Sequence, residues 1–420
     1  MTQSRNGSLF KLPRMNTRNQ SRTKKAAFWQ PLIMPFAILS LIAAWWIGFS
    51  QQAGLSLLLA KHFNVESVTH SENQTYRFTI EQPASNAQIF AAFGNGYGGP
   101  LVITFELDKS QRIRNVALVN HVDTPGYVVN VLNQRLLDRI NGKKITDAFV
   151  GGRDIDGVSG ATLTVNGITE AVRKAAHEEA ELHGLTIDTV TTSWCFKLSD
   201  AALTLLVLMV LFERKMPTVI RKYHIMLVGV LSVMVIGYWA NIALSVASVS
   251  SLMLGYWTPP KQNPSLYILL LTVMLGILWL GKNLYCSQLC PFHHIQRWLH
   301  KLGKNNLPLA GWVNHYGAQV IGVLLWLALV LIFVTRNPAV ASYEPFSMLF
   351  SLEGVGVQWY ILPLALFGSF FIKDYWCRLF CPLGRGLNIL VDQRQQARKW
   401  WRKHKKAGQP KPMRSQSGGH

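Results

Sequence analysis

Six long apolar segments constrain this chain more than any other feature of its sequence. They lie at residues 29–50, 196–213, 225–247, 264–281, 316–335 and 357–373. Each is close to the roughly 20 apolar residues that a membrane-spanning helix needs. The hydrophobic share of 49%, gathered into blocks, therefore predicts a membrane protein with six crossings. A cleaved signal peptide is the alternative for the first segment, but its length and its tryptophan-rich end favour an uncleaved anchor.

The distribution of charge predicts an orientation for these crossings. The net charge is +21, and its positive residues concentrate at the two termini and in loops beside apolar segments. Residues 213–224 and 282–304 and the tail from 394 to 414 are basic, whereas residues 248–263 and 336–356 carry few cations. By the positive-inside rule this asymmetry places both termini in the cytoplasm. Because topology explains the charge, no nucleic-acid partner is expected.

The chain divides into five parts. We expect a basic cytoplasmic tail (1–28), a first transmembrane helix (29–50), a periplasmic domain (61–193), a five-helix membrane domain (194–390) and a second basic cytoplasmic tail (391–420). The periplasmic part alternates strands and turns, with a hairpin formed by residues 101–107 and 112–119. Residues 168–182 have helical spacing, and Asn166 or Thr164 is expected to cap this helix. An α+β domain is thus inserted between the first and second helices of a six-helix transmembrane protein.

The run DGVSGATLTVNG at residues 156–167 is the first motif that points to chemistry. Gly160 and Ala161 are small enough for another molecule to approach closely, and a helix start offers free backbone N–H groups to an anion such as phosphate. An ordinary capped turn is the structural alternative for SGAT taken alone.

Residues 156–162 resemble the flavin-attachment signature of the FMN-binding domains in NqrC and RnfG subunits and in NosR/NirI membrane proteins. The resemblance implies that Thr162 carries FMN through a phosphoester. It also implies a flavin transferase as a maturation partner, which recognises the remaining motif residues Asp156, Ser159, Gly160 and Ala161. A covalent bond suits a domain outside the cytoplasm, because a weakly held flavin would be lost there by dilution.

Two upstream motifs extend the same resemblance. GYGGPLVITFELD at residues 96–108 is similar to the family's strand entry, and HVDTPG at 121–126 is similar to its His-x-Glu-Thr-Pro-Gly loop. Asp123 stands where that loop has glutamate. The resemblance implies that Asp123, Thr124 and Gly126 lie near the flavin, with Thr124 and Gly126 weaker candidates than Thr162.

Four of the five cysteines form two copies of one pattern. These are Cys286, Cys290, Cys377 and Cys381, each pair spaced Cys-x-x-x-Cys-Pro after an apolar segment. Residues four apart share a helix face, so the pairs could converge on one tetrahedral site at the cytoplasmic side. Thiolates suit an iron-sulfur cluster, zinc or Cu(I), and buried packing is the alternative.

The duplicated cysteine pattern resembles that of NosR/NirI proteins and of the short membrane flavoproteins that accompany reductive dehalogenases. The resemblance implies one iron-sulfur cluster, with any second cluster on a partner protein, since the ferredoxin-like region of full-length NosR is not seen. Cys195 is expected to pack in the second crossing. A basic, tryptophan-rich interface is expected to contain His293, His294, Trp298, Trp376, Trp400 and Trp401, although the two histidines are also alternative contributors to the centre at the first cysteine motif.

These features predict a redox carrier of the bacterial inner membrane rather than a stand-alone enzyme. Electrons would pass between the quinone pool or a cytoplasmic-side donor and the periplasmic FMN, which would feed an external reductase. The alternative is a regulatory or maturation factor for a periplasmic metalloenzyme. A transporter is disfavoured, because charged residues lie only near the ends of the apolar segments.

Overall fold

The computed structural model describes residues 30–50, 69–70, 76–82, 85–158, 161–187, 196–213, 217–304, 307–341, 343–351, 354 and 356–407. The predicted tail 1–28 and the residues Ser159, Gly160 and Cys195 lie outside these ranges.

Antiparallel strands form the framework of the region that follows the first helix. Among the described residues they are β1 (Thr69–His70), β2 (Tyr76–Gln82), β3 (Ser85–Asn95), β4 (Pro100–Leu107) and β5 (Ile113–His121). Their order in the sheet follows the chain, so each strand pairs with its successor. The predicted hairpin is confirmed, because β4 and β5 pair with Leu107 opposite Ile113.

Three of the described helices belong to the same region and pack with the sheet around one core. They are α2 (Pro125–Asn133), α3 (Leu136–Ile140) and α4 (Thr162–Leu182). Phe90 and Phe105 stack in this core with their ring centroids 5.5 Å apart, and Ile168 of α4 is fully buried with them. Burying one such side chain stabilises the fold by about 1.5–3 kcal/mol.

Two glycines let α4 approach β3 unusually closely. A β-carbon on Gly94 would lie 1.8 Å from the carbonyl oxygen of Gly167, and one on Gly167 would lie 2.6 Å from that of Asn95. This contact fixes the position of the start of α4 over the sheet. The predicted caps are wrong: Ala161 is the N-cap, and Thr164 lies within the helix with its hydroxyl bonded to Asp123 instead.

The other described parts of the chain are mostly helical. Their helices are α1 (Gln30–Ser50), α5 (Leu198–Phe212), α6 (Thr218–Leu231), α7 (Val246–Met253), α8 (Pro264–Leu275), α9 (Pro291–Gly303), α10 (Gly311–Thr335), α11 (Phe346–Ser351), α12 (Gln358–Phe371), α13 (Tyr375–Leu379) and α14 (Pro382–Ala407). Stretches of π-helix follow α6 (Ser232–Trp239) and α8 (Gly276–Leu280) and precede α9 (Tyr285–Leu289). A 3₁₀ turn spans Pro338–Ala341.

Each of the six apolar segments contains one helix. Within the described part of the chain, Tyr316–Thr335 alone is both long and apolar enough to cross a membrane, with 20 residues and a mean hydropathy of 2.6. The other five segments hold shorter apolar helical stretches, at Met34–Ser50, Leu198–Phe212, Tyr223–Trp239, Pro264–Leu280 and Gln358–Phe371. The predicted helices are therefore present, and one of them has the full length of a crossing.

The first and last of these helical elements pack back onto the bundle. Helix α1 lies against α10, where Trp326 Nε1 donates to Ser40 Oγ at 2.9 Å. Helix α14 continues to Ala407, well into the predicted basic tail. Its Arg394 donates to the carbonyl oxygen of Trp279 at 2.7 Å, so the start of that tail is anchored to the end of the π-helical stretch after α8.

Candidate functional site

Thr162 is the first residue of α4, and it is exposed. The first backbone bond of the helix runs from the Val165 N–H to the carbonyl of Ala161, 3.0 Å away. The amides of the preceding first turn therefore have no helical carbonyl to bond, as at every helix start. The hydroxyl of Thr162 and these free amides lie together at one end of α4. That arrangement suits an anionic group bonded to Thr162.

Asp123 holds the three predicted flavin motifs together. Its Oδ1 accepts from the N–H groups of Gly98 at 2.5 Å and Thr124 at 2.7 Å. Its Oδ2 accepts from Thr164 Oγ1 at 2.6 Å and from the Tyr97 N–H at 3.2 Å. The carboxylate is fully buried, and burial raises its pKa while these donors oppose the rise. Asp123 thus fixes the start of α4 relative to the two upstream loops.

The glycines of the GYGGP motif make room for this carboxylate. A β-carbon on Gly96 would lie 1.9 Å from Asp123 Oδ2, and one on Gly98 would lie 2.8 Å from the Thr124 N–H nitrogen. Any larger residue would displace the Asp123 side chain from its donors. The sequence identified Asp123 as a candidate near the flavin, and the structure assigns its oxygens to backbone and threonine donors.

The remaining flavin-motif residues occupy two environments. Asp156 is exposed, and its backbone oxygen accepts from Arg139 Nη1 at 2.9 Å. Thr124 and Gly126 are buried beside Asp123. Ala161, the helix cap, is buried directly before Thr162.

A cleft opens beside Thr162, between the sheet region and the helical region. About 650 Å³ of space between its walls, part of it open solvent, is free of protein atoms. The sheet region contributes Tyr97, Tyr127, Ala161, Thr162, Leu163 and Thr164 to its walls. The helical region contributes Lys197, Ser199, Asp200, Trp239, Ala240, Asn241, Ile242, Gln262, Asn263, Pro264 and Ser265.

Two tyrosines join the halves of this cleft. The Tyr97 hydroxyl donates to the carbonyl of Ala243 at 3.1 Å, and the Tyr127 hydroxyl donates to Asn241 Oδ1 at 3.2 Å. Their rings meet edge to face with centroids 5.0 Å apart. Burial raises the pKa of both phenols, so they remain neutral donors. Sequence reasoning missed both tyrosines, although Tyr97 lies within a motif that it quoted.

The two cysteine motifs share one backbone hydrogen bond as well as a spacing, although the first is π-helical and the second α-helical. In each motif, the N–H of the second cysteine donates to the carbonyl of the residue just before the first cysteine. Cys290 donates to the Tyr285 carbonyl at 2.7 Å, and Cys381 donates to the Trp376 carbonyl at 2.9 Å. The proline that follows each motif opens the next helix, α9 or α14, where its missing N–H costs nothing. The duplicated sequence therefore produces a duplicated backbone hydrogen bond.

Two of the thiols, one from each motif, lie beside the same glycine. A β-carbon on Gly384 would lie 3.4 Å from Cys381 Sγ and 3.6 Å from Cys286 Sγ, so the absence of a side chain there leaves room between sulfurs of both motifs. Within the described ranges, no three His, Cys, Asp or Glu side chains are grouped closely enough to hold one metal ion.

Burial sets the acidity of these thiols. It raises the pKa of Cys286 to about 12 and that of Cys290 to about 11, and repulsion from the neighbouring Cys290 thiolate adds to the shift of Cys286. Burial and thiolate repulsion also raise the pKa of Cys377 and Cys381. Binding of a positive metal centre must therefore displace the protons of these thiols.

The interfacial roles predicted for three neighbouring residues are wrong. His293 and His294 are 7% and 4% exposed, because α9 turns them toward the cysteine motifs rather than toward a basic surface. His293 Nδ1 lies 3.5 Å from Asp374 Oδ1 and 4.0 Å from Cys377 Sγ. Trp376 is 4% exposed and stacks on Phe380. By contrast, 60% of Trp400 and 72% of Trp401 are exposed on α14.

One short segment connects the cleft with the cysteine motifs. The carbonyl of Ala243 accepts from Tyr97, and the N–H of the next residue, Leu244, donates to the Tyr285 hydroxyl at 2.8 Å. Tyr285 immediately precedes Cys286. Glu344, from a loop expected on the outer side, is also buried here and accepts from the Val246 N–H at 2.7 Å. Residues 243–246 and Glu344 thus pack beside the start of the first cysteine motif.

Comparison with known proteins agrees with this geometry. Residues 96–177 match the model of an FMN-binding domain, and residues 262–310 and 359–385 match that of a 4Fe-4S binding domain. The first match contains Thr162 and Asp123, and the second contains all four paired cysteines. The chain therefore carries an FMN-binding domain and a 4Fe-4S binding domain, which confirms the predicted cofactor classes.

Similarity to individual proteins is modest and partial. Protein NirI of Paracoccus denitrificans is 31% identical over 172 residues, which are 38% of this chain and 25% of NirI. Regulatory protein NosR of Stutzerimonas stutzeri is 27% identical over 195 residues, 43% of this chain and 26% of that NosR. The NosR of Pseudomonas aeruginosa is 27% identical over 189 residues, with 42% and 26% covered.

The matched part of the chain thus spans about a quarter of the length of each of these relatives. No solved structure matches the chain. The predicted resemblance to NosR and NirI is confirmed.

Proposed function

We propose that this chain is a membrane-embedded electron-transfer flavoprotein in which FMN is bonded through its phosphate to Thr162 Oγ1. The single observation that carries this proposal is the position of Thr162, exposed on the first turn of α4 in the wall of a cleft, inside the matched FMN-binding domain. When bound, flavin supplies an exchange of one or two electrons and the cluster supplies a one-electron couple.

The residues around Thr162 would hold and shield the flavin. First-turn amides of α4 would face the phosphate, and Asp123 keeps α4 in register with the GYGGP turn. Tyr97, Tyr127 and Trp239 line the cleft with aromatic surface, which suits a planar ring. Part of this wall comes from the helical region, so the two regions together would exclude water from the cofactor.

We further propose that Cys286, Cys290, Cys377 and Cys381 hold one iron-sulfur cluster. Support comes from the room beside Gly384 and from the backbone hydrogen bond that recurs in the two motifs. The proposal extends to six membrane crossings with a periplasmic FMN domain, which the charge asymmetry and the six apolar helices favour. Electrons would then pass between a quinone or cytoplasmic-side donor and a periplasmic reductase, after a flavin transferase has installed FMN.

Replacement of Thr162 tests the attachment. Thr162→Ala should abolish flavin fluorescence that survives denaturing electrophoresis, when the protein is produced in a host with flavin transferase. Thr169→Ala is the matched control on the same helix, because its hydroxyl bonds only to the Asn166 carbonyl of that helix, and it should keep the fluorescent band. A fluorescent band of unchanged intensity in Thr162→Ala would refute the attachment.

A regulatory or maturation role is the second candidate, since two of the relatives are named as regulatory proteins. The two roles differ in whether electrons pass continuously through the flavin. We would distinguish them by following flavin absorbance in membrane vesicles supplied with quinol or with a reduced cytoplasmic-side donor. Steady bleaching of the flavin supports electron transfer, whereas an unchanged spectrum with fully flavinylated protein favours regulation.

A further inference from the structure

Gln296 lies in α9 with no exposed surface, between the two cysteine motifs. Its Nε2 donates to Cys377 Sγ at 3.1 Å. Its Oε1 accepts from the Trp376 backbone N–H at 2.8 Å. The Ser369 hydroxyl is a second neighbour of the same oxygen, 3.4 Å away. One buried amide therefore contacts a candidate cluster ligand and the residue immediately before it.

The orientation of this amide is determined by its partners. A backbone N–H can only donate, so the atom that faces Trp376 must be the carbonyl oxygen of the Gln296 side chain. The NH₂ group is then left to face the sulfur of Cys377, and a flipped amide would set two donors against each other. Burial keeps water from competing for either group.

We propose that Gln296 is a positioning residue that raises the reduction potential of the cluster by donating to the sulfur of Cys377. This inference rests on the proposed ligation by the four cysteines. Reduction adds one electron to the cluster, supplied in the test by a chemical titrant, and increases the negative charge on its sulfur ligands. A donor aimed at such a sulfur favours the reduced form, because hydrogen bonds to charged groups are the stronger ones.

Gln296→Met tests this role, because methionine keeps the length of the side chain and removes the donor. In a redox titration followed by electron paramagnetic resonance at the midpoint potential of the wild type, the ratio of reduced to oxidised cluster should be about tenfold lower in the variant. For a one-electron couple this corresponds to a shift of about 59 mV toward more negative potential. Ser369→Ala is the matched control: Trp376 still orients the amide, so the potential should stay near that of the wild type.

The outcomes separate this inference from the proposed function. A Gln296→Met protein with full iron content and an unchanged potential would overturn the role of Gln296 alone. Absence of an iron-sulfur cluster from anaerobically purified wild type would overturn the proposed ligation and the inference together.

A measurement on the wild type covers the case in which Gln296→Met loses its iron. Protein labelled with ¹⁵N in glutamine side-chain amides should show a nitrogen coupling to the reduced cluster in pulsed electron paramagnetic resonance. Gln296→Glu keeps the shape of the side chain and removes the amide nitrogen, so the coupling should disappear in this variant. A coupling that persists would come from another glutamine and would contradict the proposal. No coupling in the wild type would contradict the proposal.

Discussion

At the scale of single residues, Gly384 makes the most direct prediction about the cysteine site. A β-carbon there would occupy the space between Cys381 Sγ and Cys286 Sγ without closer contact than 3.4 Å. Gly384→Ala should therefore fold normally, helped by the higher helix propensity of alanine, yet lose most of its iron. Gly317→Ala is the control, because its nearest neighbour would be 4.0 Å away. Iron content per protein checks this, and full loading of Gly384→Ala would contradict a cluster in that space.

Sequence motifs identified the candidate residues that stand in short patterns. They missed the residues whose hydrogen-bond partners are distant in the sequence. Thr162 and the four cysteines stand in short patterns whose spacing carries the signal. Gln296 and Tyr97 are important through partners far along the chain, Cys377 and Ala243, and no short pattern links such positions. For the same reason His293 was assigned to a surface although α9 buries it.

At the scale of elements, hydrophobic pattern identified all six apolar helices and the β4–β5 hairpin, but it misplaced the start of α4. That helix begins at Thr162, and the Thr164 hydroxyl, which was expected to cap it, donates to Asp123 instead. The π-helical stretches were also unforeseen, since nothing in apolar periodicity distinguishes them from α-helix.

The close packing of α4 on β3 makes a prediction at the same scale. In Gly167→Ala the new β-carbon would meet the Asn95 carbonyl oxygen at 2.6 Å and the Gly96 nitrogen at 2.9 Å. Relief requires α4 to move away from the sheet, and overpacking of this kind costs about 1–3 kcal/mol. A lower unfolding temperature and reduced flavin content are expected. Lys174→Ala, on the exposed side of α4, is the control and should change neither the unfolding temperature nor the flavin content. Equal stability of Gly167→Ala and Lys174→Ala would argue against the tight contact.

At the scale of the whole molecule, the two candidate sites meet at residues 241–246. Asn241 and Ala243 accept from the tyrosines of the sheet region, while Leu244 donates to Tyr285 beside the first cysteine motif. Local patterns predicted two cofactors and placed them in separate regions. Their connection depends on long-range association, which a single sequence does not encode in any short stretch.

Glu344 makes this junction sensitive to pH. Burial raises its pKa from the ordinary 4.5 to about 8, so the folded protein keeps a proton that the unfolded chain releases. The contribution of this carboxyl to stability is complete below about pH 4.5 and is lost as the pH rises through about 8. The glutamine side chain in Glu344→Gln carries no charge at any pH. This variant should therefore match the wild type in unfolding temperature near pH 5 and exceed it above pH 8, whereas Glu181→Gln on the surface should follow the wild type throughout. The measurement is the unfolding temperature in detergent as a function of pH. If it changes with pH in the same way for Glu344→Gln and the wild type, this carboxyl does not control the stability of the junction.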